Sequence, residues 1–74
     1  MSTADIVMDR ALALARAGAE EEAAIAELVS CSGENRVAVV MARRQVIDLT
    51  GQPEGETARA TELLDEVLVR LAED

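Results

Sequence analysis

The chain has 74 residues, half of them hydrophobic, and it contains no aromatic residue, no His and no Lys. Its 15 acidic residues against 7 arginines give a formal net charge of −8, which disfavours binding to nucleic acid and to anionic membrane surfaces. Without His, Lys or Tyr the chain lacks the commonest general base, Schiff-base chemistry and phenolic acid catalysis. We therefore expect no enzyme, no cofactor, no metal ion and no small-molecule substrate.

The predicted location is the cytoplasm. The first residues lack the basic start and the long apolar run of a signal peptide. The longest apolar run, residues 37–42, is too short to cross a bilayer, and the single Cys31 is typical of a reducing compartment. The arginine-rich, lysine-free composition also indicates a GC-rich bacterial genome.

Two helices are predicted in the first half of the chain, over about residues 4–17 and 19–31. Ser2 and Asp5 have the spacing of a capping box at the start of the first helix. Gly18 is the natural stop of that helix, because glycine accepts the left-handed conformation past a helix end. The alternative is one helix that runs through Gly18, at a cost of about 1 kcal/mol relative to alanine.

Two further helices are predicted over about residues 34–50 and 54–72. Ser32 or Gly33 is placed to cap the third helix. Pro53 suits the first position of the fourth helix, where Glu66 and Arg70 have the spacing of an i,i+4 ion pair. A pair of strands is the alternative to the third helix, but the residues that would join them lack the Gly, Asn, Asp or Pro of a tight turn.

The third helix carries two apolar stripes, whereas a surface helix needs only one. The first stripe contains Val39, Ala42, Val46 and Leu49. The second stripe contains Val37, Val40, Met41 and Ile47. We expect one stripe to face the chain's own core and the other to meet a second chain. Arg43 and Arg44 are expected to cover apolar surface with their stems, and contact with an acidic partner is their alternative role.

Three groups of side chains could carry chemistry, and each has a structural interpretation that we favour. Residues 20–22 are glutamates that could form a cation site, but we favour a solvated start of the second helix, where the helix dipole favours negative charge. Glu62 and Glu66 share a helix face that could bind a divalent ion, but solvated charge is their expected role. Cys31 has no basic neighbour in the sequence and is expected to be a structural cysteine rather than a redox thiol.

A shift of 33 positions relates the two halves of the chain, matching Val7 with Val40 and Gly18 with Gly51. This period and the turn sequence GAEEEAAIAEL resemble a tetratricopeptide helical hairpin over about twenty residues, without the aromatic positions that define that family. With only two hairpins, the resemblance implies association with another chain. No family is assigned on it.

The sequence therefore predicts one all-α domain over residues 1–74, with four short helices arranged as two helical hairpins in a small bundle completed by oligomerisation. The predicted function is non-catalytic protein–protein association, and the homodimer is the predicted form of that association. The alternative is an acidic regulatory adaptor, of the antitoxin-like or anti-factor-like kind, that binds a basic partner protein. The candidate interface residues are Val37, Val39, Val40, Met41, Val46, Ile47, Leu49, Leu64, Leu68 and Leu71.

Overall fold

All four predicted helices are present in the computed structural model, which describes residues 1–51 and 54–73. They are α1 (Thr3–Ala17), α2 (Glu21–Ser32), α3 (Arg36–Thr50) and α4 (Glu56–Glu73). No strand occurs in these residues, so the all-α fold is confirmed and the strand alternative for α3 is wrong. The helix start predicted at Pro53 lies outside the described residues.

The first turn and the end of α1 follow the sequence prediction. The Asp5 backbone N–H donates to Ser2 Oγ at 3.2 Å, and the Ser2 backbone N–H donates to Asp5 Oδ2 at 3.3 Å. This reciprocal pair satisfies two backbone donors that the helix leaves free. At the other end Gly18 has φ +66°, and its N–H donates to the Leu14 and Ala15 carbonyls. The left-handed glycine separates α1 from α2, so the continuous helix is excluded.

The start of α3 differs from the prediction. Its N-cap is Asn35, whose side-chain oxygen accepts from the Ala38 N–H at 3.2 Å. Ser32 belongs instead to α2, where it is buried and its hydroxyl donates to the Val29 carbonyl at 2.9 Å. Glu34, expected in the first turn of α3, lies in the connection with φ +61°. Gly33, the other predicted cap, is the C-cap of α2 with φ +63°. Neither residue caps α3, because the chain turns through left-handed Gly33 and Glu34 before α3 begins.

The core lies between all four helices. Helices α1 and α4 pack against every other helix, whereas α2 and α3 barely touch each other and α2 has the fewest contacts of all. Each helix contributes one alanine with no exposed surface, which lets the helices approach closely in a core without aromatic rings. The buried cluster contains Val7, Ala11, Ala24, Ile25, Leu28, Val39, Ala42, Val46, Ala60, Leu63, Leu64, Val67 and Leu71.

The dimensions of the chain are those of a closed domain. Its Cα radius of gyration is 10.8 Å, and a compact domain of this length is expected to have about 11 Å. The four helices therefore form a compact globule. The predicted completion of this bundle by oligomerisation stays a prediction.

Candidate interaction surface

The two apolar stripes of α3 have different environments. In the first stripe Val39 and Val46 have no exposed surface and pack in the core. In the second stripe Val37, Val40 and Met41 keep 67%, 52% and 49% of their surface exposed. The second stripe is therefore the one that the chain's own fold leaves uncovered, which the sequence left undecided.

Leu49 is the exception in the first stripe, because it is 69% exposed instead of buried. It lies in the last turn of α3, opposite the first turns of α1, where it lines a shallow groove of about 280 Å³ with Asp5, Met8, Gln45 and Asp48. The polar side chains of this groove do not cover Leu49, so helical spacing alone misplaced it. In the second stripe Ile47 is half-buried.

The uncovered stripe forms one wall of an apolar groove between α3 and α4. The groove holds about 430 Å³ and is lined by Arg36, Val37, Val40, Met41 and Leu68. Leu68, which is half-buried, supplies the α4 side. We refer to these five residues as the α3 groove. The other large exposed apolar residues lie outside it, at Met1, Ile6, Leu49 and Val69.

Four of the candidate interface residues belong to the core instead. Val39, Val46 and Leu64 have no exposed surface, and Leu71 has 8%. Their side chains hold the four helices together, so a partner that touched them would have to displace the chain's own packing. Of the α4 candidates, only Leu68 reaches the groove. The apolar spacing of α4 marked its buried face correctly but not the boundary of the surface.

Five of the seven arginines tie different helices together through ion pairs. The pairs are Arg10 with Glu27, Arg16 with Glu56 at 3.2 Å, Arg43 with Asp65 at 2.6 Å, Arg59 with Glu21 at 3.5 Å and Arg70 with Glu22 at 3.0 Å. The predicted Glu66–Arg70 pair is therefore replaced by a contact between α4 and α2. Three of the five pairs hold α2. Sequence spacing finds pairs within a helix and could not have found these.

Arg36 and Arg44 are the two arginines outside this set. In the described part of the chain, the structure gives Arg36 no ion-pair partner, and the one partner of Arg44 is Asp48 in its own helix. The Arg44–Asp48 distance is 4.0 Å, with 84% and 72% of the two side chains exposed. Such a pair contributes almost nothing to stability. Both arginines therefore lie on the exposed side of α3 and form no ion pair with another helix in the described part of the chain. We refer to them as the spare arginines.

Among residues 1–51 and 54–73, no three Cys, Asp or Glu side chains are arranged to hold a metal ion. Of the glutamates considered from the sequence, Glu21 and Glu22 face arginines of α4, and Glu62 lies 3.6 Å from Arg59. Within the same described residues, no helix combines the length and apolar content needed to cross a membrane.

Cys31 is half-buried, and burial raises the pKa of its thiol. The nearby Arg10 charge opposes that rise but does not cancel it. Sequence analysis missed this arginine because it lies on α1. Arg10 is already paired with Glu27, and the thiol stays protonated at neutral pH, which fits a structural cysteine.

Comparison of the chain with protein-family models, with curated protein sequences and with solved structures finds no match. The surface itself is therefore the basis for assigning a function.

Proposed function

We propose that this protein acts without catalysis, by binding another polypeptide through the α3 groove. The observation that carries the proposal is the exposure of Val37, Val40 and Met41 side by side on a helix whose opposite face packs in the core. Scattered apolar residues are normal on a protein surface, whereas a contiguous apolar groove is typical of an interaction site. A helix laid along α3 would cover these side chains at i and i+3 or i+4 spacing.

The homodimer predicted from the sequence is one form of this proposal, with the groove of a second copy as the partner. The predicted alternative, in which acidic faces bind a basic protein, has less support. Glu21, Glu22, Glu27 and Glu56 already face arginines of neighbouring helices. A basic partner that used these four carboxylates would have to compete with those contacts, whereas a partner in the α3 groove displaces only water.

The test compares Val40→Asp with Val69→Asp, because both valines are 52% exposed but only Val40 lines the groove. Circular dichroism should show that both variants stay folded. Val39→Asp should unfold the chain, since it places a charge in the core. Self-association is measured by sedimentation at high micromolar concentration. Binding to a different chain is measured with a fluorescent helical peptide that carries leucines at i, i+3, i+4 and i+7 and glutamines elsewhere.

The proposal predicts that the wild-type protein either self-associates or binds the peptide. That association should be lost in Val40→Asp and kept in Val69→Asp. A wild-type protein that stays monomeric at high micromolar concentration would remove the homodimer. If it also failed to bind the leucine–glutamine peptide, or bound it equally well in both variants, the α3 groove would not be the functional surface.

A further inference from the structure

The charge of α3 is opposite in sign to that of the rest of the chain. Helix α3 holds three arginines against one aspartate, a net charge of +2. The remaining residues hold four arginines against 14 acids, a net charge of −10. The helix that supplies most of the apolar groove is therefore positively charged, whereas the rest of the chain is strongly negative.

The two spare arginines flank the three exposed apolar residues of the stripe, Val37, Val40 and Met41. Arg36 precedes Val37 and Arg44 follows Met41, eight residues apart in the same helix. At about 1.5 Å of rise per residue, this separation is about 12 Å along the axis. The arrangement is a short apolar surface with a positive charge at either end.

Arg36 is unfavourable for the stability of α3 itself. It occupies the first turn of the helix, where free backbone N–H groups already give partial positive charge. A second positive charge there is repelled, and no acidic residue lies in that turn to offset it. A carboxylate brought to this end by a partner would be attracted by both Arg36 and the helix dipole.

Pairing two α3 helices of the same chain over the apolar stripe does not satisfy these charges. Two α3 helices paired antiparallel over the apolar stripe bring Arg36 of one copy to the level of Arg44 in the other. When the two helices pair in parallel, each arginine of one copy lies opposite the same arginine of the other copy. Both two-fold arrangements place like charges together at the rim, which weakens association.

We propose that the α3 groove binds an acidic amphipathic helix of a different polypeptide. Its apolar side chains pack on Val37, Val40 and Met41, and its carboxylates, two turns apart, meet Arg36 and Arg44. This inference rests on the proposed function and adds the identity of the partner by its chemistry. Apolar contact supplies the affinity, and the two arginines select the charge of the partner.

The experiment uses two labelled peptides of about 18 residues, long enough to hold a helix. Both carry the same leucines at i, i+3 and i+4, and they differ only in having glutamates or lysines at the two positions that flank the leucines. Fluorescence anisotropy measures binding of each peptide to the full-length wild-type protein. The glutamate peptide should bind about tenfold more tightly, as two exposed ion pairs allow.

Arg36→Glu combined with Arg44→Glu should reverse the preference in favour of the lysine peptide. Both arginines are exposed, so the double variant should stay folded by circular dichroism. Val69→Asp should keep the wild-type preference, and Val40→Asp should bind neither peptide.

Equal affinity for the two peptides, or a preference that survives the double reversal, would overturn the acidic partner. A wild-type homodimer that is lost in Val40→Asp and excludes both peptides would also overturn it, while leaving the proposed function intact. Failure of the neutral leucine–glutamine peptide together with absence of self-association would remove the proposed function itself.

Discussion

Helices α1 and α3 share their length and the positions of their caps, but they differ in what covers them. Both have 15 residues, and α3 repeats the bounds of α1 at the 33-residue offset. Their N-caps, Ser2 and Asn35, and their C-cap glycines are equivalent under the same shift. The core face of α1 consists of Ala4, Val7 and Ala11. The equivalent positions in α3 are Val37, Val40 and Arg44, and they are exposed.

The difference shows that local signals fix where a helix begins and ends, whereas the neighbours decide which face is buried. The face of α1 at Val7 is enclosed by the other helices, and α3 turns the equivalent face to solvent while it buries Val39 and Val46. Ala11 lets α1 pack closely on its neighbours, whereas the long charged side chain of Arg44 stays in solvent at the equivalent position of α3. The face of α3 that carries Val37 and Val40 is therefore left uncovered by the chain's own helices.

Exchanging the residue types at the equivalent positions 11 and 44 should give the largest effect. Ala11→Arg places a long cation in a site with no exposed surface, and we expect a loss of several kcal/mol, enough to unfold a domain of marginal stability. Arg44→Ala should change the free energy of unfolding by less than about 0.5 kcal/mol, because its side chain is exposed. Urea unfolding followed by circular dichroism measures both. Similar losses in the two variants would mean that α1 and α3 are equally buried, contrary to the structure.

The C-cap glycines should give a smaller and unequal effect. Gly18 is in the left-handed helical region, with φ +66° and ψ +33°, whereas Gly51 has φ +72° and ψ −46°, which a residue with a Cβ tolerates poorly. No atom crowds either site, so backbone strain alone decides the outcome. Replacement by alanine should cost about 1 kcal/mol at Gly18 and about 2–3 kcal/mol at Gly51. The reverse order in thermal or urea unfolding would show that the two caps do not differ in strain as described.

The N-caps should differ in their response to acid, which is the smallest effect. Hydrogen bonds from the Ser2 backbone N–H and then from its side chain hold the pKa of Asp5 below its usual value. Asp5 therefore favours the folded state above the unfolded pKa of about 3.9, and this contribution is lost as the pH falls through the lower folded value. The difference in melting temperature between wild type and Asp5→Ala should shrink on acidification. Asn35→Ala is the control, because its neutral amide should give a difference that does not follow the same titration.

Much of the fold could be predicted because its signals are local. The capping box at Ser2 and the stop at Gly18 depend only on residues within one turn. The cap at Asn35 was missed because the left-handed conformation of Glu34, a residue that rarely adopts it, moved the start of α3.

The candidate surface was harder to predict because it depends on contacts between distant parts of the chain. Two apolar stripes on one helix indicated that one would be exposed, but only the packing of α1 and α4 could decide between Val39 and Val40. The roles of the arginines were also hidden, since Arg70 pairs with Glu22 across 48 positions of sequence.

Helix α2 packs Ala24, Ile25 and Leu28 in the core but barely touches α3. In the described part of the chain it also takes part in three of the five ion pairs between helices, so charge contributes more to its docking than to that of the other helices. Exposed ion pairs weaken as dissolved salt screens them, whereas the buried alanines and leucines are unaffected. We therefore expect local opening of the native state to begin at α2, so that its amide hydrogens exchange with solvent soonest. Rising ionic strength should increase the difference in exchange rate between α2 and the other helices.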